Sequence, residues 1–280
     1  NANFKRFQKH IKEGKEGFVK SAYSAYRERS LGLGAMGFHS YLQSRSLPFE
    51  GIYATGFNHK AFKYIKTQAT KASERLADER GEAPDVSGSG RRNANLLAVA
   101  PNASSSIICG GTSPSIEPYR ANVYTHKTLS GSYQVKNRHL ENLLDDKKLN
   151  KKELELVWKD IAGHEGSVQH LDILTDEEKE IFKTANELDQ IWIIEHASQR
   201  QDYICQAQSV NLFFTIPTAT EPQEVHDEYM QYVNDVHWYG MNKLKSLYYF
   251  RTNAARNAEN VNIKVQRIKL DDAECIACEG

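Results

Sequence analysis

Cysteine, proline, methionine and tryptophan are scarce in this chain, with four, seven, three and three among 280 residues. Four cysteines (Cys109, Cys205, Cys275 and Cys278) are too few for the disulfide framework of a secreted scaffold of this size. A reducing cytoplasm is therefore the expected location, that of the host if the gene is viral. Net charge is lacking too. Thirty-six basic residues balance 36 acidic ones, so no global field favours polymeric nucleic acid or an anionic membrane. The longest apolar runs reach only about half a dozen residues, against the ~20 that a bilayer span needs. The opening Asn1-Ala2-Asn3-Phe4-Lys5-Arg6 is polar, with neither an initiating Met nor a secretory pattern, and a fragment or processed piece is the expectation. What is present is 40% hydrophobic residues, enough for the core of one large domain or two small ones.

Helical patterning dominates. After Asn58, the residues Phe62, Ile65, Ala69, Ala72 and Leu76 form one apolar stripe, which Gly81 and Pro84 stop. Thr175 with Glu178 is a capping box, and Leu188, Ile191 and Trp192 extend the same helical pattern. Thr220-Glu221-Pro222-Gln223 opens a third helix, with proline at its favoured first position and a stripe through Val225, Tyr229, Tyr232, Val236 and Gly240. Short apolar runs at 96–100, 209–216 and 246–250 read as strands. Their alternation with helices predicts a buried, largely parallel α/β sheet. The stretch 136–159 reads as a charged peripheral excursion, and the acidic last residues as a mobile tail.

Three motifs could carry chemistry. Pro101-Asn102-Ala103-Ser104-Ser105-Ser106 follows a strand; it is either a structural turn or a cradle of hydroxyl and amide donors for a phosphate. Tyr248-Tyr249 is either a packed aromatic pair or a relay in which one phenol passes a radical to the next. Cys275 and Cys278, three positions apart at the terminus, are either an exchangeable dithiol or half of a zinc site. Cys109 and Cys205 read as buried small hydrophobes. The ten histidines show no ligand spacing, and His164 and His170 read as surface residues in a loop. Leu31-Gly32-Leu33-Gly34-Ala35-Met36-Gly37 has no strand pattern before it, so it reads as close helix packing and not as a dinucleotide fingerprint.

The order of these stations resembles that of the class I ribonucleotide reductase large subunit, in its carboxy-terminal part. The stations are Arg29 to Phe38, Pro101 to Ser106, Thr112-Ser113-Pro114-Ser115-Ile116-Glu117-Pro118, Gln208 to Asn211, Leu247-Tyr248-Tyr249 and the terminal Cys-x-x-Cys. The resemblance implies an α/β fold, helix-rich, forming the second half of a ten-stranded α/β barrel over residues 1–266, with a flexible redox-active tail at 267–280. It implies that Asn102, Ala103, Ser104, Ser105 and Ser106 bind the substrate diphosphate, Ser104 and Ser105 being the best donors. Tyr249 would receive a radical from the partner small subunit and Tyr248 would pass it to the active-site thiol. Cys275 and Cys278 would re-reduce the active-site disulfide, and the helix from Glu224 to Leu247 would help to form the small subunit's docking groove. Ala103 departs from the pattern, since some members carry Glu there.

The expected reaction is reduction of a ribonucleoside diphosphate to its deoxyribonucleotide for DNA replication. The expected partners are the amino-terminal half of the large subunit, the small subunit with its radical-generating metal cofactor, and a thioredoxin- or glutaredoxin-type reductant. No cofactor or metal is expected in this chain itself, and no polymeric nucleic acid or membrane as a partner. The family's thiyl cysteine lies in Asn-x-Cys-x-Glu, which does not occur in this sequence, so the chain is expected to be inactive alone. The rival readings are a non-catalytic module that only docks the small subunit, and a glycyl-radical reductase, whose glycine loop is not recognisable here.

Overall fold

The computed structural model describes residues 5, 6, 8–10, 17–128 and 131–253. The elements run α1 (Gly17–Glu28), α2 (Phe38–Ser44), α3 (Ile52–Arg80), α4 (Ala103–Ile108), β1 (Val123–Thr128), β2 (Gly131–Lys136), α5 (Arg138–Asp146), α6 (Lys151–Gly163), α7 (Asp176–Ile181), α8 (Gln190–Gln201), β3 (Leu212–Thr215), α9 (Gln223–Lys243) and β4 (Phe250–Asn253). The fold is α/β and helix-rich. Among the described residues, no helix is long and apolar enough to cross a membrane.

Four extended segments lie side by side. Leu33 pairs in parallel with Leu97, Val99 with Gln208, and β3 with β4 in the register Leu212 to Phe250. The parallel pairing expected from the sequence is present in part: β3 and β4 form a ladder, the run at 96–100 joins its neighbours by single bridges, and the strand expected at 246–250 begins only at Phe250. One member was misread. Residues 31–34 are not a helix-packing stretch but run extended beside residues 95–98, joined by a single parallel bridge at Leu33: Leu31 and Leu33 donate to the carbonyls of Asn95 and Leu96, and Ala98 donates back to Leu33. Gly34 is required there because a Cβ would stand 2.7 Å from the Ala98 carbonyl oxygen. Strand periodicity was invisible because glycines alternate with the leucines and supply no side chains to count.

Helices α3, α8 and α9 cover this array, α8 packing against both of the others. The stripe on α3 buries Phe62 and sets Ile65 and Ala69 against a core that includes Leu97, Val99, Ile194, Leu212 and Phe214. The helix begins six residues before Asn58, at Ile52. Asn58 is itself buried, donating to the His196 carbonyl and accepting from Arg200. Arg200 is 1% exposed, with Gln208 as its other side-chain partner and the rings of Phe38 and Phe62 against its guanidinium. Burial alone brings its pKa down to about 9, so it remains charged at neutral pH.

The helix expected to continue from Thr175 through Trp192 is in fact two. Its capping box forms, but α7 ends at Ile181. The Thr184 amide and hydroxyl then bond the Glu187 carboxylate, and Asp189 caps a fresh helix, α8, through the Ile191 amide. Pro222 sits at the N-cap of α9, one residue earlier than its expected place. The charged stretch 136–159 is more than an excursion. It folds as α5 and α6, which enclose Leu140, Leu144, Trp158 and Ile161 in a second apolar cluster beside the antiparallel hairpin β1–β2.

Candidate functional site

The site is assembled around the loop 111–119, which the start of α2 holds in place. Gly37 and Phe38 donate their amides to the carbonyls of Ser113 and Ser115. The Ser40 hydroxyl accepts the Ser113 amide at 2.9 Å and meets the Tyr119 phenol. His39 accepts the Tyr119 amide on Nδ1 at 3.0 Å. The φ of +80° at Gly37 allows this close approach, since a Cβ would stand 2.6 Å from the Thr112 hydroxyl. These anchors were not singled out from the sequence. The available signal was their position directly after the Gly-rich extended segment that bridges to Leu97.

The loop lines a cleft of about 380 Å³, whose walls also include Ala103 and Ser106 of α4, Asn211 of the third extended segment, and Tyr248 and Arg251 around the fourth. Strand ends with free backbone groups are where open α/β sheets gather ligands. Asn102 adopts a left-handed φ of 52° and turns the chain into α4, so the amides of Ala103, Ser104 and Ser105 begin the helix without intrahelical acceptors. Ala103, Ser104 and Ser105 are exposed, whereas Ser106 is buried and spends its hydroxyl on the Ala103 carbonyl at 2.7 Å. The first two serines thus offer free hydroxyls, and the third stabilises the turn.

Glu117 is the most buried charged group in the cleft, at 4% exposure. Burial raises its pKa, opposed by Arg120, by the Asn211 hydrogen bond and by Arg251. Asn211 uses its other end to accept the Tyr249 amide at 3.1 Å, a ladder position diverted from the backbone to a side chain. The next ladder bonds run from Tyr248 to the Val210 carbonyl and from Leu212 to the Tyr249 carbonyl. The tyrosine pair therefore lies just before β4, its two amides bonded to a backbone carbonyl and to a side chain in turn. Their ring centroids lie 4.1 Å apart at 45°. Arg251 covers Tyr249 at 5.1 Å, and both tyrosines remain nearly half exposed. The neighbouring Tyr249 holds the Tyr248 phenol above its ordinary pKa. A phenol that keeps its proton, in contact with a second phenol, suits coupled electron and proton transfer.

Of the residues predicted from sequence, the structure brings Ala103, Ser106 and Tyr248 into one cleft, with Asn102, Ser104 and Ser105 on the same turn and Tyr249 against Tyr248. Cys275 and Cys278, like the whole of 267–280, lie outside the described residues. The reading of the other two cysteines as buried hydrophobes fails. Cys109 is exposed, and Cys205 is half-buried with the amides of Leu96 and Leu97 donating to its sulfur at 3.0 and 3.2 Å. Burial alone would raise the Cys205 pKa, but those two amides, with Lys66, outweigh it and lower it.

The family profile described as ribonucleotide reductase, barrel domain, matches residues 6–89 and 83–250. The chain belongs to this family. Among ribonucleotide reductase relatives, the ribonucleoside-diphosphate reductase large subunit of Invertebrate iridescent virus 3 is 42% identical over 265 residues, covering 93% of this chain and 40% of that protein. That of Invertebrate iridescent virus 6 is 41% identical, covering 87% of this chain and 24% of its own length. Among solved structures, the Actinobacillus ureae class Id ribonucleotide reductase alpha subunit superposes with a TM-score of 0.69 at 40% identity, over 84% of this chain and 41% of that one. The chain thus spans less than half the length of these relatives.

Proposed function

We propose that the chain is the part of a ribonucleoside-diphosphate reductase large subunit that anchors the substrate phosphates, delivers the radical and exchanges the reductant. The observation that carries the reading is the meeting of α4, Glu117, Asn211 and Tyr248 in one cleft. The amides and hydroxyls at 103–105 would hold the diphosphate, and Arg120 and Arg251 add positive charge to the same cleft. In the assembled barrel, of which this α/β array would be the second half, Tyr249 takes the radical from a small subunit and Tyr248 hands it to a cysteine thiol. The thiyl abstracts the 3′ hydrogen of the ribose, the 2′ hydroxyl leaves as water, and two thiols supply the electrons by becoming a disulfide. Cys275 and Cys278 reduce that disulfide by exchange and are themselves reduced by a thioredoxin- or glutaredoxin-type protein. The thiyl cysteine must come from polypeptide outside this sequence, because no Asn-x-Cys-x-Glu is present. The radical initiator belongs to the small subunit, and the cytoplasm is the compartment that keeps such thiols reduced.

The test is cytidine diphosphate reduction by this chain combined with the remaining large-subunit segment, a small subunit and a dithiol. Turnover should require every component. Tyr248→Phe should abolish it while leaving the complex intact, because the ring contact with Tyr249 is kept and only the phenol's hydrogen bond to Tyr249 is lost. A complex that forms yet never turns over would favour a docking module instead.

A further inference from the structure

We propose that Asp160, His164 and His170 form a surface site for one divalent transition-metal ion of the zinc class, separate from the substrate cleft. His164 Nδ1 stands 3.2 Å from Asp160 Oδ1, and His170 Nε2 stands 3.1 Å from Asp160 Oδ2. One ligand atom from each of the three residues lies within 4.8 Å of the others. A tetrahedral ion with bonds of about 2.0–2.1 Å has ligand–ligand edges of about 3.3 Å, and each imidazole nitrogen already stands at about that length from one oxygen of the carboxylate, His164 from Oδ1 and His170 from Oδ2. The imidazoles stack with centroids 3.7 Å apart, each turning a nitrogen towards one carboxylate. A single cation placed between them would engage all three groups at once.

The backbone fixes this arrangement independently of the side chains. Asp160 and His164 are one turn apart at the end of α6, where His164 is the C-cap. Glu165 and Gly166 then take left-handed φ values of 55° and 87° and reverse the chain. The reversal is tied down by the Gly166 amide on the Ile161 carbonyl at 2.8 Å and by the Gly166 carbonyl, which accepts both nitrogens of Asn122 at 3.0 Å. A Cβ at Gly166 would stand 2.5 Å from that of Ala121, so the turn admits only glycine. The chain consequently returns His170 to the helix end it left. Two imidazoles and one carboxylate suit zinc, nickel or copper and not the oxygen-seeking magnesium or calcium, and a fourth position stays open to water. None of the three residues lines the cleft, so the ion acts as a clasp between α6 and the loop that leads to α7.

Zn²⁺ titrated calorimetrically into the full chain carrying Cys275→Ser and Cys278→Ser tests this, the tail thiols being removed as competing ligands. One ion per chain is expected, and Co²⁺ in its place should give the visible bands of a nitrogen- and oxygen-ligated ion. His164→Ala and His170→Ala, both at exposed positions, should each weaken binding by about tenfold or more. His237→Ala, on α9, should not. Absence of stoichiometric binding, binding that survives both ligand substitutions, or an equal loss in His237→Ala would overturn the proposal.

Discussion

Acid should unfold this protein through two buried histidines. His39 and His196 are both fully buried, and burial brings their pKa values down to about 3 and about 4. Burial is the main cause, since a proton would place a charge where water cannot reach it. His39 Nδ1 receives the Tyr119 amide, so protonating it would leave a buried backbone donor unpaired beside a cation. His196 bonds the Phe49 carbonyl through Nε2 at 2.9 Å, while its Nδ1 is buried without a partner and the ring lies near charged Arg200. Both rings are neutral in the folded state, but in the unfolded chain each takes up a proton below about pH 6.5. Stability is therefore full above about pH 6.5 and falls as pH drops towards the folded values. Between about pH 7.5 and about pH 5, each histidine should cost about 2 kcal/mol, together about 4 kcal/mol. That is a large share of the 5–15 kcal/mol that holds a typical domain together. Glu117 works in the opposite sense: its raised pKa means that the folded state gains the proton first as pH falls. A single variant separates the two. His196→Gln keeps a donor for the Phe49 carbonyl and cannot titrate, so urea unfolding of this variant should show about half the wild-type loss over the same interval. A wild-type midpoint that does not move with pH, or a variant that loses as much as wild type, would refute the argument.

Gly34→Ala should cost about 2–3 kcal/mol or prevent folding, because the new methyl meets a backbone carbonyl that a neighbouring strand holds in place; thermal unfolding measures it. Phe49→Ala should cost about 3–5 kcal/mol in urea unfolding, since its ring stands edge-on to Phe38, His39 and His196 at 5.8, 5.3 and 5.1 Å. Thr175→Ala removes the cap whose hydroxyl accepts the Glu178 amide and should cost about 1 kcal/mol, seen as a small drop in the same midpoint.

Some of this protein was legible in its residues. The stripe on α3 gave the helix and its end at Gly81, though not the first six residues before Asn58, because an amphipathic helix must repeat its apolar residues every three or four positions whatever surrounds it. The capping box at Thr175 formed for the same reason: its hydrogen bonds span three residues and need no distant partner. Ser104, Ser105, Tyr248 and Tyr249 could be named from motif order, and the turn and the ring contact they make are local. What pattern could not give was the end of α7, where Thr184 and Glu187 offer an alternative to helix that only side-chain geometry decides. Nor could it give the extended segment at 31–34, whose place is set by hydrogen bonds to residues more than sixty positions away.

Sequence alone therefore determined the local elements and the kinds of chemistry available, since propensity, capping and spacing act within a few residues. Tertiary structure decided which of those residues meet. It brought His39 to Tyr119, Asn211 to both Glu117 and Tyr249, and His170 back to Asp160. Those pairings depend on how sheet and helices pack, and packing is set by the whole core at once and not by any one segment.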